Sequence, residues 1–188
     1  RSFLKENAVI YKSDPVQVSE SSDGTKKYLF RTEGGFLIET VMIPDNDRVT
    51  LCVSSQSGCK MGCEFCMTGR MGFFTSLKSW EILNQIFSVS ESKDISNVVF
   101  MGMGEPMDNI DEVLCALDVL TSDYGLAWSP KRITVSTIGH IPNMKRFLDE
   151  SKCHLAVSLH TAISSQRQSW MPSEKAWPAD KIIQLLKT

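Results

Sequence analysis

The sequence has 188 residues, 42% of them hydrophobic, and its 20 Lys and Arg against 22 Asp and Glu leave a formal net charge of −2. That is enough chain for one ordinary core or part of a larger one, without the basic balance that marks many nucleic-acid binders. No apolar run approaches the roughly 18 residues that span a bilayer, and the N-terminal region lacks a signal-peptide pattern, so a cytoplasmic protein with no membrane partner is expected.

In chain order, residues 27–44, KYLFRTEGGFLIETVMIP, alternate apolar and polar on both sides of EGG, which predicts a β-hairpin turning at Gly34 and Gly35. From Arg48 the rhythm changes to short apolar strands, each followed by a helical pattern. Strands are expected at 49–55, 97–103, 132–137 and 154–160, and helices at 79–90, 110–122, 141–151 and 178–187. Apolar residues at helical spacing, such as Val113, Leu114, Leu117 and Leu120, support the second of these helices. Four strand–helix units in series imply an α/β fold with a parallel sheet and right-handed crossovers. Periodicity leaves open whether the sheet is doubly wound or part of a barrel. The expected organisation is an N-terminal segment with the hairpin, 1–47, and a core domain, 48–188. The chain opens at Arg1 and closes at Thr188 inside an amphipathic pattern, and so reads as a fragment.

The unusual residues gather where the strands end. A cysteine loop follows the first, GMGEP the second, STIGH the third and SLHT the fourth. In parallel α/β folds the carboxyl ends of the strands share one face, where ligands bind. One site is therefore expected rather than four.

Four of the six cysteines fall within fifteen residues, in LCVSSQSGCKMGCEFCMTG. Cys59, Cys63 and Cys66 form C-x3-C-x2-C, and clustered thiols in a reducing compartment are metal ligands or redox groups more often than disulfides. A structural zinc site wants four closed ligands, as does an ordinary [4Fe–4S] centre. Three cysteines suit a cluster with one iron left open to a small molecule; the alternative is zinc closed by Cys52 or a distant histidine. In GMGEP, Gly102 and Gly104 permit close backbone approach and Glu105 offers an acceptor for an ammonium group. A glycine-rich strand-to-helix turn is as often purely structural, and this one lacks the spacing of a phosphate-binding loop.

Together these motifs resemble the radical S-adenosylmethionine (SAM) superfamily. The strings CVSSQSGCKMGCEFCMTG, FMGMGEPMDN, RITVSTIG and AVSLH, with IETVMIP ahead of them, are similar to the RlmN/Cfr family of radical SAM RNA methyltransferases from about Gly24 to at least Pro172. The resemblance implies a partial (β/α)6 barrel, of which the first four βα units are present, and a [4Fe–4S] cluster on Cys59, Cys63 and Cys66. It implies SAM held by Gly104 and Glu105, by Ser136, and by Ser158, Leu159 and His160. It assigns Glu39 as the catalytic proton acceptor and Cys52 as the thiol that resolves a protein–RNA covalent intermediate through a disulfide. Read alone, Glu39 is a solvated strand carboxylate, Cys52 a small buried hydrophobe, Ser136 a turn serine and His160 a hydrogen-bonded rim residue. Cys115 and Cys153 match no motif.

The implied reaction methylates C2 of adenosine in 23S rRNA and in tRNA by way of a methylated cysteine near the family's C-terminus. No cysteine follows Cys153, so that carrier is expected outside this chain, which by itself should be inactive in methyl transfer. Pro106 after the Gly-Glu pair favours the C2-specific type over the Cfr-like type that methylates C8. An electron donor such as flavodoxin and a monomeric full-length enzyme are further implied. A competing reading of another class is a zinc-bound RNA-interaction module.

Overall fold

The computed structural model describes residues 12–187; residues 1–11 and Thr188, with what the sequence predicts for them, lie outside the described residues. Three antiparallel strands come first: β1 (Gln17–Glu20), β2 (Lys26–Arg31) and β3 (Leu37–Asp45). The β2–β3 hairpin turns where the glycine pair predicts. The Thr32 amide bonds the Phe36 carbonyl at 2.8 Å, and Gly35, with φ of +84°, donates to Thr32 at 2.9 Å. That left-handed backbone is why glycine stands there.

β4 (Arg48–Cys52) pairs antiparallel with β3 and parallel with β7 (Asn97–Phe100), and parallel pairing continues to β8 (Ile133–Thr137) and β9 (His154–Val157). The result is one seven-stranded sheet in the order β1-β2-β3-β4-β7-β8-β9, running through both expected segments. A separate two-stranded ribbon, β5 (Gln56–Gly58) and β6 (Phe73–Ser76), encloses the cysteine loop and the short helix α1 (Met67–Arg70). Among the described residues, the remaining α-helices are α2 (Ser79–Phe87), α3 (Ile110–Thr121), α4 (Ile141–Glu150), α5 (Ser164–Trp170) and α6 (Ala179–Leu185). Among the described residues, no helix is long and apolar enough to cross a membrane.

The two faces of the sheet differ. Phe30, Ile38, Leu51, Val98, Phe100, Ile133 and Val135 are buried with Ile82 and Ile86 of α2, Val113, Leu117 and Leu120 of α3, and Phe147 of α4. Each such side chain contributes roughly 1.5–3 kcal/mol when fully buried. Residues of opposite parity, including Glu39, Val41, Thr50, Cys52, Val99, Thr134 and Ser136, are only half-buried. This second face is free to carry chemistry.

The strands stop short of their predicted ends, β4 at Cys52, β7 at Phe100 and β9 at Val157. Beyond Cys52 and Phe100, irregular main-chain bonds and two side chains replace the regular ladder. The Met103 carbonyl accepts the amides of both Ser55 (2.9 Å) and Gln56 (3.1 Å). The Met103 amide donates to Ser54 Oγ at 2.9 Å, and the Glu105 amide to Gln56 Oε1 at 3.0 Å.

Candidate active site

The ribbon β5–β6 holds the cysteine loop shut. Gly58 has φ of +75°, and a Cβ there would lie 2.0 Å from the Gly72 carbonyl oxygen, so only glycine permits the closure. The Cys59 amide bonds that same carbonyl at 2.9 Å. Cys66 caps α1, with the Gly69 amide directed at its Sγ from 3.4 Å. Cys63 is buried against Ile138 and Met171, with Cys66, Met61 and Trp177 packed around them. Burial pushes the Cys59 thiol up to about 11 despite a hydrogen bond from the Met61 amide, and the charges of Glu105, Cys63 and Cys66 add to the rise. Cys63 is raised by burial, then by Cys66 and Glu105, with Arg167 opposing. The three thiols and Glu105 therefore share one electrostatic neighbourhood.

Among the described residues, no three or more Cys, His, Asp or Glu side chains are placed so as to hold a metal ion as they stand. A mononuclear zinc site draws its thiolates to about 2.3 Å from one atom. A [4Fe–4S] cluster would likewise be held by cysteine thiolates. Three neighbouring thiols on one loop, backed by apolar side chains and with N–H groups directed at two of the sulfurs, fit that group.

The Gly-Glu turn lies directly against this loop. Gly104 has φ of +97°, and a Cβ on it would sit 2.5 Å from Cβ of Gln56. Glu105 is buried, accepting the Met107 amide at 3.1 Å and the Ile138 amide at 3.0 Å, and it caps the short 3-10 turn Pro106–Asn109. Burial pushes its carboxyl up to about 7 against hydrogen bonds from Thr137, Ile138 and Met107. Asp108 in the same turn accepts Gln56 Nε2 at 2.8 Å and pairs with Lys60 at 2.9 Å. Lys60 lies inside the C-x3-C spacing, so this ion pair ties the cysteine loop to the Gly-Glu turn.

The ends of β8 and β9 complete the arrangement. Ser136 Oγ and Ser158 Oγ lie 3.4 Å apart, and the Ser158 amide donates to the Thr137 carbonyl at 2.8 Å. His160 has φ of +60° inside a tight turn closed by the Thr161 amide on the Leu159 carbonyl at 2.7 Å. Its ring packs on Phe65 of the cysteine loop, 4.5 Å between centroids. Cys59, Cys63, Cys66, Gly104, Glu105, Ser136, Ser158, Leu159 and His160 thus stand at one end of the parallel strands, as the placement of the motifs predicts.

Glu39 and Cys52 stand on the half-buried face of the sheet. Val41 is the direct partner of Cys52 across β3–β4, which puts Glu39, two residues away, on the same side as the thiol. The main chain of Glu39 touches the Gly-Glu turn, its amide 3.4 Å from Met103 Sδ and its carbonyl accepting Ser54 Oγ at 2.6 Å. Its carboxylate, 45% exposed, instead pairs with Lys27 at 2.9 Å. Cys52 has its thiol raised by burial, against a hydrogen bond from Met101, and so stays protonated at neutral pH.

Three positions escape motif reading. Gln56 is fully buried and joins Glu105, Asp108 and Ser76. Phe65 packs on His160, and Arg167, with no exposure, joins α5 to the ends of β8 and β9. The signal for Gln56 and Phe65 is their place beside and inside the cysteine string; for Arg167 the sequence carries none.

With this geometry in view, comparison with known proteins decides the family. Residues 53–185 match the model of the radical SAM superfamily. The chain belongs to that superfamily. Within it, the resemblance to RlmN-type proteins is borne out. The chain is 58% identical over 186 residues to the probable dual-specificity RNA methyltransferase RlmN of Phocaeicola vulgatus, covering 99% of this chain and 53% of that protein. It is 43% identical over 187 residues to the dual-specificity RNA methyltransferase RlmN of Geotalea uraniireducens, covering 100% and 54% respectively. The crystal structure of a radical SAM methyltransferase from Sphaerobacter thermophilus superposes with a TM-score of 0.90 at 36% identity, covering 98% of this chain and 56% of the other. The chain spans about half the length of the curated relatives it matches.

Proposed function

We propose that this chain is the catalytic core of a radical SAM enzyme that methylates C2 of adenosine in 23S rRNA and in tRNA. The observation that carries the reading is the interlock of the cysteine loop with the Gly-Glu turn through Lys60, Asp108 and Gln56 at the carboxyl ends of the parallel strands. Cys59, Cys63 and Cys66 would hold a [4Fe–4S] cluster, and its three-thiolate set leaves one iron for SAM. When bound, the cluster supplies the electron that cleaves SAM reductively. Gly104 and Glu105 receive the amino end of SAM, and Ser136, Ser158, Leu159 and His160 form the facing wall.

Two further roles fall on the half-buried face. Glu39 accepts the proton lost from the base, for which its carboxylate must leave Lys27. The Cys52 thiol gives up its proton and forms a disulfide with a cysteine carrier as the carrier's C–S bond to the product breaks and the released methylene carbon takes up a proton; that carrier has no counterpart after Cys153 in this sequence. The seven-stranded sheet is read as part of a (β/α)6 barrel, with β4, β7, β8 and β9 as four of its strands and residues 1–47 as an appended segment. The full enzyme is taken to be a cytoplasmic monomer fed by an electron donor such as flavodoxin. Deleting the gene should remove 2-methyladenosine from 23S rRNA and tRNA, measured by nucleoside mass spectrometry. Loss of 8-methyladenosine instead would establish the C8 reading, and no loss of either would overturn both.

A further inference from the structure

Arg167 on α5 has no solvent exposure, and the reaction outlined above does not use it. Its guanidinium pairs through Nη1 with Glu174 Oε2, while Nη2 donates to the Ile138 carbonyl at 2.7 Å and Nε to the Leu159 carbonyl at 3.3 Å. The carbonyls of Ser158 and Trp177 each lie 3.4 Å from the same fork. Glu174 is locked in turn, accepting Ser164 Oγ at 2.8 Å and the Ala179 amide at 3.1 Å. Burying two charges is costly, and it is offset only where the remaining donors and acceptors also find partners. Here those partners are strand ends.

The bonds fall on particular peptides. Ile138 is held on both sides, its carbonyl by Arg167 and its amide by Glu105. The Leu159 carbonyl that Arg167 grips also closes the turn in which His160 takes its left-handed backbone. A positive-φ three-residue turn is strained, and such strain persists only where the surroundings over-determine it. A planar fork that reaches two adjacent strands supplies that constraint, and lysine, a point donor on a flexible stem, does not.

We propose that Arg167, locked by Glu174, is a positioning residue that sets the spacing between the β8 and β9 ends at which SAM is bound. The inference rests on Ser136, Ser158, Leu159 and His160 being SAM contacts. Arg167→Lys keeps a cation for Glu174 but loses the fork. In anaerobically reconstituted protein with the cluster oxidised, so that no turnover occurs, this variant should retain the iron content of the parent. Its Kd for SAM should rise about tenfold or more, the scale of lost hydrogen bonds to a charged group. Amide hydrogen exchange at Ile138 and Thr161 should quicken while β2 and β3 stay unchanged. An unaltered Kd in a folded variant would overturn the proposal, since a merely cementing role predicts that result. Should the variant fail to fold, the parent protein decides: SAM should slow exchange at Ile138, Ser158 and Thr161, and SAM binding without that slowing would overturn it. Failure of the parent to bind SAM at all would instead bring down the assignment of the ligand face, and this proposal with it.

Discussion

Replacing Gly104 by alanine tests the packing on which the candidate site depends. The residue has φ of +97°, where an L side chain costs about 1–2 kcal/mol. The added Cβ would meet Cβ of Gln56 at 2.5 Å, and its Cγ and backbone nitrogen each at 2.8 Å. Gln56 cannot swing away. Its Cβ and nitrogen are fixed by the main chain, and its amide is held by the Glu105 amide, Asp108 and Ser76. Overpacking of this kind costs about 1–3 kcal/mol, so Gly104→Ala should lose about 2–5 kcal/mol in all. That is a large part of an ordinary domain's 5–15 kcal/mol. Urea unfolding of the metal-free protein, followed by tryptophan fluorescence, measures it as a lower midpoint at constant slope. Gly34→Ala is the control, for its φ is not positive and its added Cβ would meet the edge of the Phe36 ring at 3.3 Å and Thr32 Oγ1 at an ordinary 3.9 Å; it should stay within about 1 kcal/mol of the parent. A loss below about 1 kcal/mol for Gly104→Ala would refute the close approach of the Gly-Glu turn to β5.

Glu91 should make stability fall in acid. Burial alone would raise its carboxyl, but hydrogen bonds from Lys26, Tyr28 and Ser90 hold it down at about 2. Its contribution is full above 4.5 and is lost as pH drops from 4.5 through about 2; the gap corresponds to about 3 kcal/mol. Unfolding free energies of parent and Glu91→Gln should converge over that window, and parallel curves would contradict the ion pair. Glu105 acts with the opposite sign. Burial holds it near 7, so the stability of its neutral form is present below 4.5 and disappears as pH rises through about 7. Glu105→Gln should flatten that decline in the metal-free protein, and an unchanged pH profile would mean that the carboxyl is solvated. Cys63→Ala should abolish the brown colour of reconstituted protein, because two thiolates do not hold the cluster, whereas Cys115→Ala on the exposed side of α3 should leave it intact. Equal iron content in both variants would remove Cys63 from the ligand set.

What could be read before the structure, and what could not, follows from where each signal resides. The hairpin is legible because alternation on both sides of Gly34 and Gly35 fits one register, and α3 because Val113, Leu117 and Leu120 make one apolar face. The strand ends could be placed on a common face because each carries an odd residue after an apolar run. The ribbon β5–β6 escapes because Gln56–Gly58 is polar or small yet fully buried, its side chains satisfied by partners far along the chain. Helix α5 escapes because its one buried residue is Arg167, the inverse of an apolar stripe. The pairing of Glu39 with Lys27 depends on hairpin geometry that composition does not reveal. Among the site residues, identities come from the motifs, while the bonds that hold them, through Gln56, Asp108 and Arg167, come only from the packed chain.

The central claim is that Cys59, Cys63 and Cys66 carry a cluster with an iron open to SAM. Anaerobic reconstitution with iron and sulfide, followed by metal and acid-labile sulfide analysis and by electron paramagnetic resonance of the reduced protein, tests it most directly. Iron and sulfide in equal amounts, with a spectrum that shifts when SAM is added, are the predicted result. Protein that takes up zinc but no sulfide, or a cluster spectrum indifferent to SAM, would contradict it.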